Sequence, residues 1–156
     1  MESIIEQHDF HAVADEDLTF AVIFSKYRDQ WVICRQRGKI TWEVQGGHRE
    51  QGEVISYTAA RELHEESGAN VFRIKPITNY SMVRNGVKSV GQLYYSEIYE
   101  IGDLPVGFEI EEVKLVDSFP EDMTYREIHE LLYEIIQNHN LDDNTVWHNF
   151  ELHNEK

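Results

Sequence analysis

The 156-residue chain predicts an α/β fold in which helices cover both faces of a mixed sheet. Three observations carry this. Strand-like apolar runs recur between residues 18 and 116, a helical stretch interrupts them at about 53–67, and a second helical stretch follows them at about 124–138. Period-2 alternation marks strands, and recurrence at i, i+3 and i+4 marks helices. A sheet that meets one helix early and another late has a helix for each face.

The elements follow in chain order. Residues 1–16 are acidic and weakly patterned, which fits an edge strand or a loose lead-in. Residues 18–27 read as a strand through Phe20-Ala21-Val22-Ile23-Phe24. A polar break at 26–29 separates it from a second strand at 30–35, a spacing short enough for a hairpin. A brief strand at 41–44 runs into Gly46-Gly47 and a polar loop at 45–52. The helix at 53–67 stops at Gly68, placed as its left-handed C′ residue. One side of it carries Ser56, Ala59, Ala60, Leu63 and Ser67, small enough to let the helix lie close to a sheet. Residues 71–83 and 87–100 are two long strands joined at Arg84-Asn85-Gly86, and Asn-Gly between β-rich runs signals a hairpin. Another strand covers 109–116. The late helix buries Ile128, Leu131, Leu132, Ile135 and Ile136. The tail at 140–156 holds Trp147 and Phe150 and has no assignable element.

Composition narrows the function classes. A hydrophobic share of 41% and an aromatic share of 12% exclude a disordered chain, and 156 residues suffice for one domain with a real core. No apolar run reaches the roughly 18 residues that span a bilayer. The start lacks the basic-then-apolar pattern of a secretory signal. Cys34 is the one cysteine and lies in an apolar run, so it reads as a small core residue in a reducing, cytoplasmic setting. The net charge of −15 repels phosphate backbones and argues against general nucleic-acid binding. A homodimer is compatible with the sequence.

The stretch from Gly47 to Gly68 carries the chemistry. Glu62, Glu65 and Glu66 stand at i, i+3 and i+4 and point from one helix face. Like charges at that spacing repel, and the helix C-terminus disfavours anions further. Stability alone would place lysine or arginine there. A hard cation explains the acids, since Mg²⁺ takes carboxylate oxygens and shares its other positions with water and phosphate.

Gly47, five residues, Glu53, seven residues, then Arg61-Glu62-Leu63-His64-Glu65-Glu66-Ser67-Gly68 closely resembles the Nudix box. Every polar and glycine position of that pattern is filled. The departure is Ala69, where a bulkier aliphatic residue is usual. The resemblance implies an α/β/α sandwich, a single Nudix domain over residues 1–156, and a Mg²⁺-dependent hydrolase for which Mn²⁺ can substitute. It implies that Glu62, Glu65 and Glu66 hold the metal. It also implies that Glu62 and Glu65 take part in catalysis, while Arg61 and Glu53 pair to brace loop and helix. Water attacks phosphorus in such enzymes, and the general base is either a box carboxylate or an acid outside the box. The outside candidates are Glu97, Glu109, Glu111 and Glu112. His64 lies about 200° from Glu62 on the helical wheel and reads as structural.

Substrate residues are less marked. Arg35, Arg37, Lys39 and Arg49 gather near the motif and are candidates for phosphate contacts. Tyr80, Tyr94 and Tyr95 are candidates for stacking on a base or for core packing. Trp42-Glu43-Val44-Gln45-Gly46-Gly47 resembles the lead-in of the MutT-like branch, with Gln45 where that branch has proline. The resemblance implies a nucleoside triphosphate or nucleoside diphosphate derivative as substrate, with oxidised purine nucleotides in view. Two other readings share the motif: a nucleotide-binding sensor without turnover, and a decapping-type hydrolase, against which the charge of −15 argues.

Overall fold

The computed structural model describes residues 3–8 and 13–153. Eight strands and two α-helices build the described residues, besides a short 3-10 turn at Asp15–Asp17: β1 (Ser3–His8), β2 (Phe20–Tyr27), β3 (Gln30–Gln36), β4 (Gln45–His48), α1 (Ile55–Ser67), β5 (Ala69–Arg84), β6 (Val87–Ile101), β7 (Ile110–Val116), α2 (Arg126–Asn138) and β8 (His148–Glu151). The main sheet runs β1-β5-β6-β2-β3-β7, with β4 on β2 and β8 on β5. β2 and β6 pair in parallel at its centre, and the other pairs are antiparallel, so the sheet is mixed.

Alternation along β2 divides the core. Ala21 and Ile23 face α1 and pack with Ala59, Ala60 and Leu63. Phe20 and Phe24 face the other way and pack with Leu132 and Ile136 of α2. The result is the expected helix–sheet–helix arrangement. Asn85 and Gly86 take φ of 50° and 78°, the paired left-handed geometry of a tight hairpin turn.

Four expectations change. The brief strand expected at 41–44 lies later, at Gln45–His48, and the glycines are inside it. The reason is space: a Cβ on Gly46 would stand 2.6 Å from the Ala21 carbonyl oxygen, so only a bare backbone lies this close to β2. Helix α1 begins at Ile55, leaving Glu53 in the preceding turn. Leu131, expected in the buried stripe of α2, is 49% exposed; His129 is buried there instead, against Phe24 and Phe119. The tail is ordered as β8, with Phe150 stacked on Phe72. In the lead-in, β1 is an edge strand on β5; residues 1–2, 9–12 and 154–156 lie outside the description.

Candidate active site

Helix α1 sets the carboxylates on a stiff support. Ala59, Ala60 and Leu63 are fully buried against the sheet, which leaves the adjoining face of the helix directed at β4. Gly68, at φ 82°, ends the helix and donates its N–H to the His64 carbonyl at 3.0 Å. The His64 ring closes the same end, with Nδ1 2.8 Å from the Ala69 carbonyl oxygen. Gly46 donates its N–H to Glu66 Oε1 at 2.7 Å, tying the last carboxylate to β4. A side chain at Gly47 would collide with the Glu62 carboxylate, so that glycine makes room for an acid.

Arg61 organises the cluster. Its Nε donates to Glu53 Oε2 at 2.6 Å and its Nη2 to Glu53 Oε1 at 3.0 Å, a two-point pair. Nη1 reaches Glu62 at 2.8 Å and Glu65 at 3.3 Å, while Nη2 also donates to the His48 carbonyl at 3.0 Å. Glu53 accepts two further bonds, from the Glu50 N–H at 3.0 Å and the Thr58 hydroxyl at 2.9 Å. The Arg61 guanidinium holds the Glu53 carboxyl down to about 2, and Glu53 in turn raises Arg61.

The other acids move the opposite way. Burial pushes Glu62 up to about 7 despite its bond to Arg61. Burial also raises Glu66 well above the usual carboxylate range, more than its bond from Gly46 lowers it. Glu43 is raised by burial as well, and it adds repulsion at Glu66. Carboxylates forced up by desolvation are groups that a cation would return to the charged form. Among the described residues no three such side chains converge on one point in this arrangement, because Glu62 and Glu65 both bond Arg61 and Glu66 bonds Gly46. The donors fit a hard cation in type and burial.

A cavity of about 360 Å³ starts at Gly46, Gly47 and His48 and runs between the sheet and α2. Phe20, Val22, Tyr80 and Met82 line its sheet side, and Ile128 and Leu132 its helix side. Glu43 and Gln36 stand on it and are joined by a 2.8 Å bond, while Arg84 and Tyr125 also line it. Apolar walls with a few polar groups suit a nucleoside-sized ligand.

The structure brings Glu53, Arg61, Glu62, Glu65 and Glu66 together. The four basic candidates stand apart from the cavity lining. Arg35 bonds Glu112 at 3.1 Å and Glu111 at 3.4 Å across β3 and β7. Arg37 and Lys39 lie in the exposed turn after β3. Arg49 pairs with Asp15 at 3.3 Å and donates to the Leu18 carbonyl at 3.1 Å. Glu97 accepts a 2.8 Å bond from Arg73, and Glu109 is exposed before β7. Tyr80, Tyr94 and Tyr95 are all buried in the core, and Tyr80 also lines the cavity. Much of the lining carries no mark in the sequence. Glu43 and Arg84 were visible only as parts of a lead-in and a hairpin, and Tyr125 had no signal at all.

Comparison with known proteins agrees with this geometry. The NUDIX domain model matches residues 16–117. A Bacillus subtilis (strain 168) protein named "Putative 8-oxo-dGTP diphosphatase YtkD" is 30% identical over 102 residues, covering 60% of this chain and 65% of that protein. The match therefore spans just under two thirds of that relative. A crystal structure of a variant of the Bacillus subtilis pyrophosphohydrolase BsRppH is similar at a TM-score of 0.74, with 17% identity over 87% of this chain and 89% of that one. A NUDIX hydrolase from Nitrosomonas europaea follows at a TM-score of 0.62, 22% identity, and 76% and 70% coverage. With the motif complete, the fold matched and the family model covering most of the chain, this protein belongs to the Nudix family.

Proposed function

We propose that this protein is a Mg²⁺-dependent pyrophosphohydrolase that cleaves a diphosphate linkage in a nucleoside triphosphate or nucleoside diphosphate derivative. Nudix hydrolases as a family generally use divalent metals and act on small nucleotides. The observation that carries the reading is the pair of desolvated carboxylates, Glu62 and Glu66, set against β4 where a nucleoside-sized cavity begins.

Glu62, Glu65 and Glu66 would hold the metal, and Mn²⁺ has donor preferences close enough to replace Mg²⁺. When bound, the ion supplies charge neutralisation at phosphate oxygens and lowers the pKa of coordinated water. The protein's own part is positioning. Arg61 and Glu53 fix the loop before α1 against the helix, so the carboxylates keep their orientation. The apolar walls of the cavity would shield the nucleoside from water. Attack forms a bond from water oxygen to phosphorus and breaks the bridging P–O bond, and the water proton passes to a carboxylate. A box carboxylate suits that role best because it stands on the helix that would hold the metal, whereas Glu97, Glu111 and Glu112 are paired with arginines away from that helix and Glu109 is exposed before β7.

The YtkD relative's name favours a guanine nucleotide, oxidised at C8, among the substrates to try first. The test is product analysis across canonical and 8-oxo dNTPs, ADP-ribose, nucleotide sugars and dinucleoside polyphosphates, with Mg²⁺ and with chelator. Metal-dependent release of a mononucleotide from at least one of them supports the proposal. Binding without turnover across the whole panel would replace it with a nucleotide sensor.

A further inference from the structure

Two side chains close the cavity at the end away from the carboxylates. Arg84 ends β5, and Tyr125 immediately precedes α2. Arg84 Nη2 donates to Tyr125 Oη at 2.8 Å, and the guanidinium carbon lies 5.6 Å from the ring centre. Both line the cavity that begins at Gly46 and Gly47. Tyr125 is held at φ 50° and ψ 55°, a left-handed conformation that a bulky side chain rarely adopts, and yet it is 53% exposed. Burial does not account for that strain. Strained residues of this kind gather at ligand clamps, where the surrounding structure holds them in place.

Register locates the pair. His48, Phe20, Gly91 and Tyr80 form one row across β4, β2, β6 and β5. That row spans three strand spacings, about 14 Å, and Arg84 lies four residues beyond Tyr80, about 13 Å farther along β5. A phosphate beside Gly47 is out of reach of Arg84. The far end of the same nucleotide is the part that approaches it.

We propose that Arg84 and Tyr125 recognise the base, with Tyr125 stacking on the ring and Arg84 donating to a 6-oxopurine. This assignment rests on the nucleotide-hydrolase reading above and names its substrate class as guanine-type nucleotides. The chemistry selects that class. Arginine has five N–H donors and no acceptor, and guanine offers O6 and N7 as acceptors on one edge. Adenine offers an amino donor where O6 would be, which opposes the guanidinium. Guanine oxidised at C8 keeps the O6 acceptor but carries N7–H in place of the N7 acceptor, so it takes only the O6 half of that contact. The bond to Tyr125 holds the guanidinium in place, and an aromatic face accepts any base ring without choosing among them.

The test is calorimetric titration of GMP, IMP and AMP, with and without Mg²⁺, into wild type, Arg84→Gln, Tyr125→Phe and Tyr125→Leu, with melting curves for each variant. Wild type should bind GMP and IMP more tightly than AMP by roughly 5- to 150-fold, the range that one good base contact supplies. Arg84→Gln should bring GMP and IMP to the AMP level. Tyr125→Leu should weaken all three, and Tyr125→Phe should weaken GMP and IMP only. Equal affinity for GMP and AMP in wild type, no binding of any of the three, or an Arg84→Gln loss shared equally by AMP would overturn the assignment. Binding is read without turnover, so base preference in a protein that hydrolyses nothing would sink the hydrolase reading and leave this one standing. Indiscriminate hydrolysis without preference would do the reverse.

Discussion

Arg61 bonds three carboxylates and a backbone carbonyl at once, and lysine cannot reproduce that fork. Arg61→Lys should therefore misplace the carboxylates and lower turnover about 100-fold, a typical result of ångström-scale displacement. Steady-state kinetics beside a melting curve would check that the loss exceeds any loss of folded protein. The acids give opposite pH behaviour. Glu53 is held at about 2, below its ordinary 4.5, so its contribution to stability is complete above 4.5 and disappears as the pH falls toward 2. Glu53→Gln should remove that part of an acid unfolding curve. Glu62 stands at about 7, above its ordinary 4.5, so without metal its ionisation weakens the fold as the pH rises from 4.5 through 7. A cation displaces the proton it holds. Mg²⁺ binding near pH 7 should release protons, measurable by calorimetry in buffers of different ionisation enthalpy, and Glu62→Gln should reduce that release.

At the scale of elements, the motif was legible because its residues repeat at helical spacing beside a glycine stop, and α1 ends where that stop puts it while beginning two residues later than expected. The strand at Gln45–His48 was not legible. Glycine reads as loop, and only the narrow gap to β2 makes it strand. Helix α2 was found, but its buried face was rotated, because an aromatic cluster takes in His129 and the apolar count had favoured Leu131. The tail was hidden because its anchor is long-range. Lys75, fully buried on β5, bonds Asp143 at 2.8 Å, and its neighbour Arg73 lies 3.8 Å from the Trp147 ring centre. Removing Asp143 takes the counter-ion from the buried Lys75 ammonium and leaves it the Thr145 carbonyl alone, so Asp143→Ala should lower stability. Lys75→Met, which removes the buried charge itself, should cost clearly less. Chemical denaturation of both variants would separate them.

Across the whole molecule, an acidic protein is assigned an anionic substrate. The chain carries −15, and the basic residues clustered in the sequence are spent on Glu111, Glu112 and Asp15 or exposed in a turn. On the proposed reading, attraction for the phosphates comes from the bound metal, at short range. Long-range repulsion is screened by salt. Raising ionic strength at constant free Mg²⁺ should therefore increase kcat/KM modestly, the reverse of a protein that steers nucleotides with a basic surface. A plain salt series on the best substrate checks this.

The most direct measurement is the initial hydrolysis rate of that substrate in wild type and in Glu66→Gln, each across a Mg²⁺ titration. Glu66 is held by Gly46 in the β4 strand, and glutamine keeps an oxygen to accept that bond while losing the charge. A metal held by Glu66 predicts a metal-dependent rate that falls at least about 100-fold in the variant, with saturation moved to higher Mg²⁺. A variant with wild-type rate and the same Mg²⁺ dependence would contradict it.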